Sequence, residues 1–377
     1  MGFSTDAIHA GQEPDKTTGA VVTPIQMTST YAQEALGINK GYEYGRVQNH
    51  TRESMEQNIA ALEKGKYGVA FASGLAAINA VMGLVKKGEH VIATENLYGG
   101  SYRLFDTIIK NYGIEFSWID TTDSNKIKKS IKENTRMVFL ETPTNPLLIL
   151  SDIKSISEIC KNNNLLCVVD NTFMTPFFQN PLLLGADIVV HSSSKYLNGH
   201  SDVISGIVIT NDKDYEESLR YSQKSIGAIP SPFDCWLILR STKTLALRMK
   251  QHNANAETVA KYLSGCSFVK NIYYPGLKFH PQHKLAKRQM SGFGGVISVE
   301  FENIRLVKKF IRKTKLFTLA ESLGGVETLI AHPASMSHSS LPKMKRIKAG
   351  ISDSLIRISV GIEDSEDLIT DIEQAMK

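Results

Sequence analysis

Cysteine is scarce in this 377-residue chain, and the four that occur, Cys160, Cys167, Cys235 and Cys266, form no Cys-x-x-Cys pair and no metal-ligand spacing with histidine. That speaks against a disulfide scaffold and a structural zinc site. It suits reduced, mostly buried thiols of a cytosolic protein. Also missing is any apolar run near the ~20 residues that a membrane span requires. The start, Met1-Gly2-Phe3-Ser4-Thr5-Asp6, has no signal-peptide core, and Asp6 stands where myristoylation needs Ser or Thr. The expectation is a cytoplasmic protein without a membrane partner. No internal repeat or low-complexity segment occurs, so repeat architectures drop out.

Charge is also unconcentrated. The formal net charge is +5, yet the lysines are scattered, as from Lys126 to Lys132 and from Lys308 to Lys315, with no aromatic-interleaved basic stripe. This reads as a solvated surface that helps attract anionic ligands, without a nucleic-acid partner. Lys343 to Lys348 reads as a solvated loop. Composition is that of a soluble globular protein, 42% hydrophobic and 21% charged. The length exceeds one small core, so two or three domains are expected.

What is present is organised around Leu165 to Asp202. An apolar run, Leu165 to Val169, stops at Asp170; a second, Ile188 to Val190, leads through His191 and three serines to Lys195. Short apolar runs bounded by turn signals read as buried parallel strands, whose carboxyl ends are where α/β sheets place ligands. Lys195 is flanked by hydroxyls and glycine rather than acids, which suits an amine that must lose its proton to act as a nucleophile. An Asp for a ring nitrogen and a Lys for an imine are partners expected of pyridoxal phosphate. His191 reads as a packed core histidine.

Asp170-Asn171-Thr172-Phe173, with Ser194-Lys195-Tyr196-Leu197-Asn198-Gly199-His200-Ser201-Asp202, resembles the Cys/Met-metabolism family of pyridoxal-phosphate enzymes, and the likeness extends over nearly the whole chain. It implies a fold-type I α/β architecture. An N-terminal arm (1–52) reaches a neighbouring subunit, a cofactor domain (53–245) holds a mostly parallel sheet, and a smaller α+β domain (246–377) follows. It also implies a homotetramer built from two active dimers. Alternation of strands and helices from Gly68 onward supports the doubly wound sheet independently.

The arm is rich in Gly, Pro, Thr and Gln and reads as extended. By resemblance its Tyr44 and Arg46 reach a neighbour's cofactor phosphate, although Gly45 and Asn49-His50 depart from the family's usual Ser and Asn-Pro. A helix is expected from Thr51 to Leu62. The strand Gly68–Ala72 breaks at Ser73 into a second helix, whose first N–H groups make an anion site; the resemblance gives the phosphate to the backbone of Gly74 and Leu75. After the strand His90–Ala93, Tyr98 stands beside two glycines that leave it room to lie over a ring. The resemblance has Tyr98 stack on the cofactor and assist proton transfer, with Arg103 binding substrate. After the strand Met137–Leu140, Asn145 lies between prolines and by resemblance donates to the cofactor's phenolic oxygen. Thr172, Ser192 and Ser194 complete the cofactor set around Asp170 and Lys195.

A long amphipathic helix is expected from Asp234 to Leu263. Beyond it, Arg357 lies in an apolar strand, where a buried cation needs a partner; a substrate α-carboxylate or Glu363 could provide it. By resemblance Ser322 assists at that carboxylate and Glu327 lies near the distal end of the substrate. Leu316–Glu327 and Gly227–Cys235 resemble the γ-lyase branch, whereas Tyr98–Asp106 resembles the γ-synthases. The implied reaction is γ-elimination on L-cystathionine, with γ-replacement of an O-acylhomoserine by cysteine as the alternative. A cofactor-free polyanion-binding protein is the rival from another class.

Overall fold

The computed structural model describes residues 1–339 and 343–377. Seven strands form the first sheet: β1 (Tyr67–Phe71), β2 (His90–Thr94), β3 (Glu115–Ile119), β4 (Thr135–Glu141), β5 (Leu166–Asp170), β6 (Ile188–Ser192) and β7 (Gly206–Thr210). Their order is β1-β7-β6-β5-β4-β2-β3. The pairs β6–β5, β5–β4, β4–β2 and β2–β3 are parallel, and β7 runs antiparallel to both β1 and β6. Strands buried on both faces can be apolar throughout. Val168, Ile188 and Val190 accordingly pack on one side against the helix Gly74–Met82, while Cys167 and Val169 pack on the other against Ile153–Asn162. Because β7 is reversed, Phe71, Thr94, Glu141, Asp170 and Ser192 all end at one rim.

The second sheet runs β10 (Thr318–Leu319), β11 (Leu329–Ala331), β12 (Leu355–Ser359), β9 (Val296–Phe301), β8 (Val269–Tyr273). Strand alternation explains how β12 carries a cation. Ile356 and Ile358 pack with Val259, Phe310 and Leu368 on the helical side. Arg357 and Ser359 point the other way, toward the first sheet's rim.

Three expectations need correction. The arm is not extended throughout: Phe3–His9 is a helix, held because Asn58 Nδ2 donates to the carbonyls of Asp6, Ala7 and Ala10. The helix expected from Asp234 to Leu263 is two, Pro232–Thr242 and Leu245–Ser264. At the break the hydroxyls of Thr242 and Thr244 donate to the carbonyls of Leu239 and Ser241, competing with the helical ladder. Lys343–Lys348 is a short helix, not a loop; Arg346 is buried there, reaching the Ala334 carbonyl (2.6 Å) and Asp353 (3.1 Å). No helix among the described residues is long and apolar enough to cross a membrane.

Candidate active site

Between the first sheet's rim and the Arg357 side of β12 lies a cavity of about 680 Å³. All the residues singled out from the sequence line it except Tyr44, Arg46 and Arg103. Arg103 is exposed on the short helix Gly99–Arg103. Tyr44 is 42% exposed, with the Arg46 guanidinium 5.4 Å over its ring and Arg46 Nη1 donating to the Lys224 carbonyl.

Each strand end contributes one piece. After β1, the Ser73 hydroxyl caps the helix Gly74–Met82 by accepting from the Ala76 N–H (3.0 Å), which leaves the N–H groups of Gly74 and Leu75 without helical partners. A Cβ on Gly74 would lie 2.8 Å from that of Ser192, so only glycine lets this helix start approach β6. After β2, the ring of Tyr98 folds over Gly100, where a Cβ would be 2.4 Å from a ring carbon.

At the end of β5, Asp170 Oδ1 accepts from the Thr172 N–H (3.0 Å) and hydroxyl (2.5 Å), and Thr172 Oγ1 accepts from the Ser192 N–H (2.9 Å). The carboxylate at the end of the central strand is thereby linked to the hydroxyl-bearing strand beside it. Burial raises the Asp170 pKa against the lowering effect of these bonds. The Ser194 hydroxyl donates to the Ser205 carbonyl (3.2 Å) and accepts from the Ser205 N–H (2.9 Å). Ser193 is fully buried and does not line the cavity.

Lys195 Nζ donates to Ser322 Oγ (2.7 Å). Burial, reinforced by the Arg357 charge, brings its pKa down to about 8, so a sizeable neutral fraction exists near physiological pH. Arg357 is 4% exposed. It donates to Asn145 Oδ1 (3.1 Å) and to the Ser322 carbonyl, and its Nε has no hydrogen-bond partner among the described residues. The candidate counter-ion Glu363 is engaged elsewhere, accepting the Thr328 N–H (2.6 Å) and hydroxyl (2.9 Å). A buried guanidinium with no salt bridge among the described residues thus lines a cavity that also holds an amine. Glu327 lines the same cavity and accepts from the Ser201 hydroxyl.

Sequence reasoning missed Glu141. It pairs in register with Asp170, is 5% exposed, and accepts the N–H groups of Tyr98 (2.8 Å) and Asn145 (2.9 Å). Burial first, and the Asp170 charge second, push its pKa up to about 8. The signal was available: like Asp170, it is an acid that ends an apolar strand. The bond from Ser201 to Glu327 spans segments far apart in sequence and left no such trace.

These parts suit an electron-poor, phosphate-bearing aromatic aldehyde. A lysine with a depressed pKa can take the carbonyl, a carboxylate can meet a ring nitrogen, and a glycine-lined helix start beside serine hydroxyls can receive a phosphate. Such a constellation defines the site of a pyridoxal-phosphate enzyme. A family model described as Cys/Met metabolism PLP-dependent enzyme matches residues 4–377, and the chain belongs to that family. It is 51% identical to a cystathionine beta-lyase of Coxiella burnetii, over 99% of this chain and 97% of that protein. It is 49% identical to a cystathionine gamma-lyase of Bacillus subtilis, over the full length of both, and 45% identical to a cystathionine gamma-synthase of Mycobacterium leprae, over 100% and 97%. Among solved structures, cystathionine gamma-lyase from Lactobacillus plantarum complexed with L-serine superposes with a TM-score of 0.97 at 46% identity, covering 100% of this chain and 98% of that one. The protein is therefore a pyridoxal-phosphate-dependent enzyme of fold type I.

Proposed function

We propose that the protein cleaves L-cystathionine by γ-elimination, releasing cysteine and, once water hydrolyses the remaining four-carbon product, 2-oxobutyrate and ammonia. The observation that carries this reading is Arg357, a buried cation in the cavity that holds the Lys195 amine, hydrogen-bonded to Asn145 and the Ser322 carbonyl and in no salt bridge among the described residues. An amino-acid substrate supplies a carboxylate for it, and the substrate's amine then lies on the Lys195 side.

Pyridoxal phosphate, when bound, supplies an electron sink for the charge left at the substrate's Cα. The chain's own residues do the rest. Gly74, Leu75, Ser192 and Ser194 would hold the phosphate, Asp170 the ring nitrogen and Asn145 the phenolic oxygen, with Tyr98 over the ring. Lys195 would hold the cofactor until substrate displaces it. Its unprotonated amine then takes the Cα proton and later a Cβ proton. Ser322 keeps that amine on the substrate's side, and Tyr98 delivers a proton to the departing sulfur. Glu327, steadied by Ser201, faces the distal ammonium of cystathionine. Tyr44 and Arg46 would complete the phosphate site of a neighbouring subunit within a tetramer of two active dimers; Arg103 would reach substrate only after rearrangement of its helix.

The lyase names among the relatives support elimination, and the likeness of Leu316–Glu327 to γ-lyases supports cleavage at the γ carbon. The synthase-named relative and the Tyr98–Asp106 segment favour the second reading, γ-replacement of an O-acylhomoserine by cysteine. The test is a product assay. Incubation with cystathionine should yield 2-oxobutyrate in excess of pyruvate, and faster than cysteine-dependent loss of O-succinyl- or O-acetylhomoserine. Excess pyruvate would assign β-elimination instead, and faster acylhomoserine turnover would assign the synthase reaction.

A further inference from the structure

Behind the rim, on the face of the sheet turned from the cavity, lies a carboxylate that neither cofactor nor substrate can touch. Glu63 caps the carboxyl end of the helix His50–Leu62 and is 0% exposed. A carboxylate there is costly twice over. It is out of water, and it sits at the negative end of a helix. One hydrogen-bond partner is the equally buried His191, Nε2 to Oε2 3.1 Å. Its other partner is Asn171, whose Nδ2 donates to both carboxylate oxygens (3.2 and 3.5 Å).

The identity of those two partners gives the position its meaning. Asn171 directly follows Asp170 at the end of β5, and His191 directly precedes Ser192 at the end of β6. Strand alternation sends Ser192 into the cavity and His191 away from it. One carboxylate therefore grips, from behind, both strand ends that deliver cavity residues. The grip extends sideways: Asn171 Nδ2 also donates to the Gln179 carbonyl (2.8 Å), and Gln179 Nε2 donates to Asn171 Oδ1 (2.9 Å) and to the Thr142 carbonyl (3.1 Å), next to Glu141. On the cavity side the side-chain link between the two ends is the run Asp170–Thr172–Ser192 described above, beside the backbone ladder in which the Asn171 N–H donates to the Val190 carbonyl (3.0 Å).

We propose that Glu63 is a positioning residue, a buried clamp that fixes the separation of Asp170 and Ser192 and so matches the rim to the two ends of the cofactor. The inference rests on the reading of Asp170 as the ring-nitrogen partner and Ser192 as a phosphate ligand. It assigns the His191 arm to the phosphate end and the Asn171 arm to the ring end.

The apoprotein can be titrated with pyridoxal 5'-phosphate and with pyridoxal, binding being followed by tryptophan fluorescence and by absorption of the bound ring, alongside thermal melting of each apoprotein. Loss of a hydrogen-bonded buried carboxylate should weaken binding of the phosphorylated cofactor by about tenfold or more in Glu63→Ala, and Glu63→Gln, which keeps the shape, should recover most of it. His191→Leu should lower the affinity ratio of the phosphorylated to the unphosphorylated cofactor. Asn171→Ala should leave that ratio near wild type and shift the pH at which the bound ring changes its absorption. Should Glu63→Ala fail to fold, the two single-arm variants decide the matter. Variants that melt earlier yet keep both affinities and the absorption profile would overturn the clamp, since purely structural bonds would behave that way. A wild-type protein with no preference for the phosphorylated cofactor would refute the underlying assignment of the site, and the clamp with it.

Discussion

The rim of the first sheet and the arm from Glu13 to Gln48 draw on the same side chains, tyrosine, arginine, serine and threonine, and leave them in opposite states. On the rim polar groups are tied across strand ends: Asp170 through Thr172 to Ser192, Glu141 to Tyr98, Arg357 to Asn145. In the arm Tyr44 and Arg46 lean on each other at the surface, and Val21, Met27 and Leu36 are 75%, 70% and 102% exposed. Two isolated bridges, Thr30 with Tyr44 and Ala35 with Ile38, are its regular pairing. A strand end fixes a side chain with backbone from its own chain. The arm has little of its own to hold it, and so many exposed apolar groups in one segment suit a surface for another molecule to cover. That fits the proposed role of Tyr44 and Arg46 in a neighbour's site.

The contrast predicts that losses at the rim are absolute and local, whereas losses in the arm can be repaired from outside. The largest effect should come from Lys195→Ala. Removing the group proposed both to hold the cofactor and to move the protons should cost at least about 10³-fold in kcat/KM. Circular dichroism should remain unchanged, and borohydride should fix no cofactor to the chain. Residual turnover within tenfold of wild type would remove Lys195 from the mechanism.

Arg357→Ala comes next. A charge-assisted contact to a carboxylate is worth about 1.5–3 kcal/mol, so KM for an amino-acid substrate should rise on the order of 10- to 100-fold with a smaller change in kcat. Arg357→Lys should recover part of the loss, because one ammonium cannot reproduce a planar fork. An unchanged KM in the Ala variant would mean that the cavity holds the carboxylate elsewhere.

Arg46→Ala should cost about tenfold in retention of the phosphorylated cofactor, the worth of one partly exposed charge contact. Here the comparison can be broken directly. After subunits of Arg46→Ala and Lys195→Ala are mixed and allowed to exchange, a hybrid pair contains one site with both native residues. Turnover above the average of the two unmixed variants is expected. No gain would show that the arm serves its own subunit.

What could be read from the sequence divides along the same line. Strand ends were legible because apolar runs stop abruptly at polar residues, as at Asp170 before Asn171-Thr172 and at His191-Ser192 after Ile188-Val189-Val190. Arg357 was legible as a charge in an apolar strand, and alternation on β12 accounts for it. Glu63, by contrast, reads as the exposed-looking end of a helix in a run Leu62-Glu63-Lys64-Gly65; only the fold brings it beneath His191 and Asn171. The break between Thr242 and Leu245 was hidden because the apolar spacing continues across it while threonine hydroxyls take the carbonyls. The helix Phe3–His9 is too short to have a clear period and depends on Asn58, far along the chain, for its carbonyl partner.

The smallest effect sharpens the rim's side of the contrast, because it asks what the fit costs. Lys195 has its pKa lowered from 10.5 to about 8 in the fold. Between those values the unfolded chain binds more protons at this position than the folded one, so the apoprotein gains stability as pH rises through that window; below it, the buried ammonium is a constant burden. Lys195→Met removes the burden and keeps the volume. The full shift would correspond to roughly 3 kcal/mol. The lost bond from Nζ to Ser322 returns about 1 kcal/mol of it, and relaxation of the partly exposed site returns more, leaving about 1 kcal/mol. Apo Lys195→Met should therefore melt a few degrees above apo wild type at pH 7, and the gap should close by pH 10.5. A gap that stays constant from pH 7 to 10.5 would mean that packing, rather than the charge of the amine, separates the two proteins.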